Sequence, residues 1–371
     1  MTLTIKTDKP YRIFAEHLEQ SALDQFEHAM NQDCVVRGAL MPDAHTGYSL
    51  PIGAVVATSD MIFPSWVGYD IGCGMLAVET SHDPSRVRFH AREIFDAIYR
   101  DVPVGFNGND TWQNIDGLDD MPVSDTLRGI LTTNRKQIGS MGGNNHFIEL
   151  GTANGRTTWI IIHSGSRGVG KKTADHYMRL ASGDGKAREG NFGFDSLGDD
   201  GCAYIQDLDY CLKFAFENRR EMMRRVENIL SLKLTGGDRI GDVINRNHNH
   251  AELRDGMWIH RKGATHAEDG MMGVVPGNMR DGSFIVRGKG NPDALWSSSH
   301  GAGRVMGRKE ASRTLDVAEF ESTMTGVTAM VGVGTIEESP MAYKSIYDVM
   351  AQQTELVDVV CHVKPIINIK G

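Results

Sequence analysis

Asp70 and Cys73 stand three residues apart in Tyr69-Asp70-Ile71-Gly72-Cys73-Gly74, with glycine on both sides of the cysteine. Those glycines permit a sharp turn that can bring carboxylate and thiol onto one centre. Three histidines follow in comparable settings. His146 lies in Asn144-Asn145-His146-Phe147-Ile148-Glu149, His163 closes the apolar run Trp159-Ile-Ile-Ile162, and His248 sits in Asn245-Arg-Asn-His248-Asn249-His250. A lone buried histidine is usually a hydrogen-bonded core residue. Taken together, the residues offer one carboxylate, one thiolate and at least three imidazoles, a donor set suited to a transition metal. A structural zinc site would have four Cys/His ligands at short paired spacings, and that spacing is absent. Donor softness allows zinc, whereas carboxylate and phosphate partners favour manganese.

A second cluster pairs Pro276-Gly277-Asn278-Met279 with Ser297-Ser-Ser-His300-Gly301-Ala302-Gly303-Arg304. Backbone N–H groups of a glycine turn can cradle phosphate, Arg304 and Arg308 can neutralise it, and a histidine can act as a covalent nucleophile. The bland alternative is a glycine-rich turn with a capping histidine.

The elements that must position these residues read as a mixture. Residues 53–58, 74–80, 157–163 and 283–287 have strand character. Helices are expected at 18–30 and 85–100, and most clearly at 203–231. In that last segment Leu208, Leu212, Ala215, Met222, Val226 and Ile229 recur mostly at three- and four-residue intervals. Arg219, Arg220, Arg224 and Arg225 fall between them and read first as a solvated face, with an RNA-contacting face as the alternative. Without strict βαβ alternation, the expected fold is α+β: one compact domain over 1–371, with packed β-sheets flanked by helices.

The chain has 371 residues, 40% of them hydrophobic, enough for a sizeable core. Five widely spaced cysteines form no CxxC pair and suggest a reducing compartment. The first residues hold no apolar stretch long enough for a signal peptide, and no apolar run is long enough to span a bilayer. A soluble cytoplasmic protein is therefore expected. The net charge of -9 argues against a general nucleic-acid coat but leaves room for a local basic groove.

At these motifs the chain resembles the RtcB RNA-splicing ligase family. The matching stretches are MPDAHTGYSLPIGAVVA (41–57), GYDIGCG (68–74), GGNNHFIE (142–149), HSGSRGVG (163–170), RKGAT (261–265), PGNM (276–279), SSSHGAGR (297–304), AYK (342–344) and VKPIINIKG (363–371). They run in family order from about residue 40 to the last residue. The resemblance implies that His300 receives GMP and that Asp70, Cys73, His146, His163 and His248 hold two manganese ions, with Cys73 bridging. It implies guanylate contacts from Asn145, His146, Glu149, His248, Asn249, Pro276, Gly277, Asn278, Met279, Ser283, His300, Gly301, Ala302 and Gly303. Tyr343 and Lys370 would hold the guanine end. Arg167 would grip an RNA phosphate, with Arg304 and Arg308 as further RNA contacts. The chain departs from the family at Asn144 and Arg280, where glycine is usual, at Asn278, where serine is usual, and at Met341, where glycine is common.

The reaction so implied uses GTP as co-substrate. An RNA 3′-phosphate, or a 2′,3′-cyclic phosphate opened by water, is joined to a 5′-hydroxyl through a histidine–GMP intermediate, in RNA repair or tRNA splicing. The resemblance also admits an activating protein partner. Two rivals remain open from the residues alone. One is a dinuclear metallophosphoesterase with the same ligands; the other is a non-catalytic RNA-repair scaffold.

Overall fold

The computed structural model describes residues 3–111, 115, 117–184 and 190–371. The expected strands are present as Ile52–Thr58, Gly74–Thr80, Thr158–Ser164 and Ser283–Gly288. The helix expected at 18–30 is Gln20–Met30. The one expected at 85–100 is divided into Pro84–Phe89 and Ala91–Asp101, because His90 (φ -97°, ψ 15°) leaves the helical region between them. The long helix runs from Asp199 to Lys233.

Two sheets carry the fold. The larger contains, in order, Met272–Pro276, Ser283–Gly288, Val357–Lys370, Phe147–Thr152, Thr158–Ser164, Gly74–Thr80 and Arg239–Asn247, with Thr328–Ala329 paired to Val357–Lys370. The smaller contains Tyr11–Ile13, Val35–His45, Ile52–Thr58, Met257–Lys262 and Asn249–Arg254. Side-chain alternation along the strands explains how the larger sheet is buried on both faces. In Gly74–Thr80, Leu76 and Val78 pack with Met222, Val226 and Ile229 of the long helix, while Met75 and Ala77 pack with Val274, Ile285 and Val363. Each of these side chains other than Ala77 contributes about 1.5–3 kcal/mol on full burial. The sheets meet in one apolar cluster that holds Phe284 and Val286 of the larger with Met41, Val55 and Ile259 of the smaller.

This arrangement sets up the site. The chain leaves the larger sheet at Asn247 and enters the smaller at Asn249, so His248 occupies the crossover between them. Its N–H donates to the Cys73 carbonyl at 2.8 Å, and Gly72 N–H donates to the Asn249 carbonyl at 2.8 Å. Crossover and cysteine turn are therefore stitched together by backbone.

Arg219 overturns one expectation. It is fully buried rather than solvated. Its guanidinium donates to Asn245 Oδ1 at 2.7 Å, Asn247 Oδ1 at 2.7 Å, Gly72 O at 2.8 Å and Ser164 O at 2.9 Å. Those four acceptors flank Cys73, His163 and His248 in sequence, so the helix pins all three segments from beneath. The neighbouring Arg220 and Arg224 remain exposed and pair with Glu217 and Glu221 of the same helix.

Candidate functional site

Asp70 and Cys73 occupy the tight turn entering Gly74–Thr80, closed by a 3.0 Å bond from Cys73 N–H to the Asp70 carbonyl. His146 precedes strand Phe147–Thr152, and His163 lies near the end of the neighbouring strand Thr158–Ser164. All four side chains converge. Cys73 Sγ is 3.3 Å from His146 Nε2 and 3.2 Å from His163 Nε2; His146 Nε2 is 2.9 Å from Asp70 Oδ2; His163 Nε2 is 3.3 Å from His248 Nε2. The structure thus brings together all five sequence-predicted metal ligands. Asp70 can approach only because residue 165 is glycine: a Cβ there would collide with its carboxylate.

The donor atoms fit a bound cation. His146 Nδ1 lies 2.9 Å from the Met141 carbonyl, and His163 Nδ1 lies 3.1 Å from the Asn145 carbonyl. Each ring therefore donates its proton outward and turns its lone pair inward, the usual outer support of a metal-bound imidazole. Both nitrogens of His146 face oxygen acceptors, although a neutral ring has one proton to give. A cation among Nε2, Sγ and Oδ2 resolves that mismatch. Burial, reinforced by the Asp70 carboxylate, pushes the Cys73 thiol well up, so a thiolate here needs a cation to form. Burial likewise pushes His163 and His248 well down, which keeps them neutral and able to ligate.

His300 stands beside this cluster, its ring edge-on to His248 at a centroid separation of 4.9 Å. Nδ1 donates to Asp43 Oδ2 at 2.6 Å, and the same oxygen accepts from the backbone N–H of His300 at 3.1 Å and of Gly301 at 3.2 Å. Asp43 is fully buried. Burial alone would raise its carboxyl, but the charge and hydrogen bond of His300, with His45 and Ser299, outweigh it, and the net shift is downward. An ionised Asp43 fixes the proton on Nδ1 and leaves the ring's lone pair at Nε2. Gly303 (φ +74°) lets the following turn lie directly on Asp43, whose carbonyl a Cβ would strike.

Two cavities meet at His300. One, of about 300 Å³, is lined by Asp70, Cys73, His248, Asn249, Lys262 and Tyr48 among others. The other, of about 140 Å³, is lined by Pro276, Gly277, the Gly301-Ala302-Gly303 turn, Arg304, Tyr343 and Lys370. Asn145 and Arg308 border both, 3.4 Å apart through Arg308 Nη2 and Asn145 Oδ1. A larger surface hollow of about 720 Å³ runs along the long helix, away from these residues.

Other expected nucleotide contacts lie outside both cavity walls. Glu149 is buried between Ser283 Oγ at 3.1 Å and Asn368 Nδ2 at 3.0 Å, and burial pushes its carboxyl up to about 7. Met279 packs in a small apolar cluster with Phe320 and Met324. Asn278 caps its own turn: Oδ1 accepts from Arg280 N–H at 3.0 Å and Asp281 N–H at 2.9 Å. Arg280 pairs with Asp281 at 2.8 Å, so this departure from the family is absorbed locally. Asn144 has φ +62°, the left-handed region that asparagine tolerates best after glycine. Arg167 donates to Ser140 Oγ and to the carbonyls of Gly105 and Asn107. Arg304 turns inward to Glu338, Glu337 O and Met306 O.

A family profile described as tRNA-splicing ligase RtcB matches residues 25–126 and 113–371. The chain belongs to the RtcB family. The RNA-splicing ligase RtcB of Escherichia coli strain K12 is 32% identical over 372 residues, covering 90% of each chain. The tRNA-splicing ligase RtcB of Pyrobaculum aerophilum is 27% identical over 469 residues, covering 98% of this chain and 95% of its own. The RNA-splicing ligase RtcB of Mycobacterium tuberculosis is 27% identical, covering 89% and 96%. Among the described residues no helix is long and apolar enough to cross a membrane.

Three site-building residues escape the sequence reading, which gives Asp43 and Glu338 no role and reads Arg219 as part of a solvated or RNA-contacting face. Asp43 lay inside the RtcB-like stretch 41–57, and its carboxylate two residues before His45 was the available signal. Arg219 was signalled by its spacing from Ala215, Met222 and Val226, which puts it on the buried stripe. Glu338 gave no signal: its importance is visible only through its partners.

Proposed function

We propose that this protein is a GTP- and manganese-dependent RNA ligase. It joins a 3′-phosphate or 2′,3′-cyclic phosphate end to a 5′-hydroxyl end through a His300–GMP intermediate. The observation that carries this reading is the setting of His300: a buried carboxylate holds Nδ1, and the ring borders both the cluster of five candidate ligands and a second cavity lined by Tyr343 and Lys370. A phosphoesterase needs the ligands but not an oriented histidine facing a second cavity.

His300 Nε2 attacks the α-phosphorus of GTP, forming a P–N bond as the P–O bond to pyrophosphate breaks. Asp43 keeps the proton on Nδ1 and stabilises the positive charge that grows on the ring. Arg308, bordering both cavities, offsets phosphate charge. An oxygen of the RNA 3′-phosphate, freed by water first where the end is cyclic, then attacks the GMP phosphorus as the P–N bond breaks. The 5′-hydroxyl, giving up its proton, attacks the RNA phosphorus and GMP leaves. Manganese held by Asp70, Cys73, His146, His163 and His248 would neutralise phosphate oxygens and favour ionisation of the hydroxyl. Lysine offers only donors, so Lys370 favours the O6 acceptor of guanine over the amino group of adenine. Arg167 and Arg308 face the RNA phosphates in this reading.

The test uses two nicked RNA stem-loops that differ only in their ends, incubated with GTP and manganese. Sealing of the 3′-phosphate/5′-hydroxyl nick alone is expected. Sealing of the 3′-hydroxyl/5′-phosphate nick alone would overturn the proposal.

A further inference from the structure

Three polar groups lining the smaller cavity, Arg304, Tyr343 and Lys370, come from separate parts of the chain and share one anchor. That anchor is Glu338, at the end of the short turn Ile336–Glu338 and 2% exposed. Its Oε2 lies 3.0 Å from Lys370 Nζ and accepts the Tyr343 hydroxyl. Its Oε1 accepts from Arg304 Nη1 at 3.2 Å. Arg304 also donates to the Tyr343 hydroxyl at 3.3 Å, with its guanidinium 5.0 Å from that ring's centroid.

We propose that Glu338 is a positioning residue for nucleobase choice, acting through the Lys370 ammonium. This rests on the reading of the cavity as the guanylate site. Lys370 ends strand Val357–Lys370, opposite Phe147, and its side chain is almost fully buried. A lysine has a long flexible stem, so its direction must come from its partners. Of the three ammonium donors, one goes to Glu338 and one reaches the Asn145 carbonyl at 3.4 Å. The third is left for a ligand in the cavity that Lys370 lines. Phe147, 5.1 Å below Nζ, closes the remaining side.

Glu338 does not read the base itself. Both of its oxygens are engaged, and it forms no part of the cavity wall. Its effect is to hold a cation in one direction. Without the carboxylate, the ammonium keeps only its long bond to Asn145 and gains freedom to swing. Guanine and adenine present opposite groups at the position of O6, so a misaimed donor costs guanine most.

The experiment is self-labelling of the full-length protein with α-labelled GTP or ATP and manganese, read as rate per folded molecule. The variants are E338Q, E338D, K370M and E338Q/K370M. E338Q is expected to lower the GTP/ATP ratio roughly tenfold or more, the loss expected of one charge-assisted hydrogen bond. E338D should keep more of the ratio than E338Q. The double variant should fall no further than K370M, because both changes remove the same contact. A purely structural role would slow both nucleotides equally, and an unchanged ratio in E338Q overturns the proposal. If E338Q does not fold, K370M and the double variant decide, since the double leaves no unpaired lysine charge. A further drop of more than about threefold in the double would show that Glu338 acts elsewhere and overturn it. Failure of the unmodified protein to label with GTP is a separate result, which removes the guanylate reading itself.

Discussion

Replacing Asp43 tests how far the chemistry depends on orientation of His300. Asp43 Oδ2 accepts three N–H groups, from His300 Nδ1 at 2.6 Å and from the backbones of His300 and Gly301 at 3.1 and 3.2 Å. In Asp43→Asn the amide oxygen must take that position, because the two backbone donors demand an acceptor. The amide nitrogen then replaces Oδ1, a buried atom without a hydrogen-bond partner among the described residues. The ring therefore keeps its tautomer and loses only the charge. A charge-assisted bond is worth about 1.5–3 kcal/mol against about 1 for a neutral one. The expected loss is about 1–2 kcal/mol, or roughly five- to thirtyfold in the rate of guanylylation. Asp43→Ala strips all three donors and frees the ring to change tautomer, so it should lose roughly a hundredfold or more. The assay is single-turnover labelling with α-labelled GTP, with circular dichroism as the control for folding. Equal, near-normal rates in both variants would show that Asp43 shapes the turn and takes no part in activating His300.

Cys73→Ala should lose bound manganese, counted by elemental mass spectrometry, together with guanylylation, while far-ultraviolet circular dichroism stays native-like. Retention of the metal would make Cys73 a core residue. Arg219→Met leaves four acceptors around the ligand turns without a donor and should cost about 3–5 kcal/mol. In a chain of this size that lowers Tm by roughly 5 °C, and an unchanged thermal transition would refute the pinning role. Glu149 has its carboxyl raised to about 7, so the folded state takes up a proton that the unfolded chain releases near 4.5. Its contribution is full at low pH and is lost as pH rises through 7, a change of about 3 kcal/mol. Relative to Glu149→Gln, the metal-free protein should therefore lose stability between pH 5 and pH 8, measured by urea unfolding. Parallel pH trends in the two proteins would contradict this.

The candidate ligand set was legible in part. Cys73 sits between two glycines and His163 ends an apolar run, positions where a polar side chain has no ordinary reason to be, whereas Asp70, His146 and His248 stood out only through their motifs. His163 after Ile160-Ile161-Ile162 is the clearest case. Strands with strong apolar content were legible for the same reason. What escaped was the support behind the ligands. Arg219 looked like one arginine among four on a helix; its spacing puts it on the apolar stripe, but only the helix's docking shows that it binds the Gly72 and Ser164 carbonyls. Glu338 and Lys370 are 32 residues apart and meet through a strand register and a short turn that local patterns do not encode. Expected guanylate contacts such as Asn278 and Met279 were read from the motif, whereas the structure turns one into its own loop and the other into a small apolar cluster.

Everything proposed for this site turns on covalent guanylylation of His300 Nε2. The direct measurement is incubation of the purified protein with manganese and α-labelled GTP, followed by denaturation, proteolysis and mass-spectrometric location of GMP. One modified peptide is expected, carrying GMP on His300 through an acid-labile, alkali-stable P–N bond, and none in the His300→Ala variant. GMP on any other residue, or no protein-bound GMP while RNA ends are still joined, would contradict it.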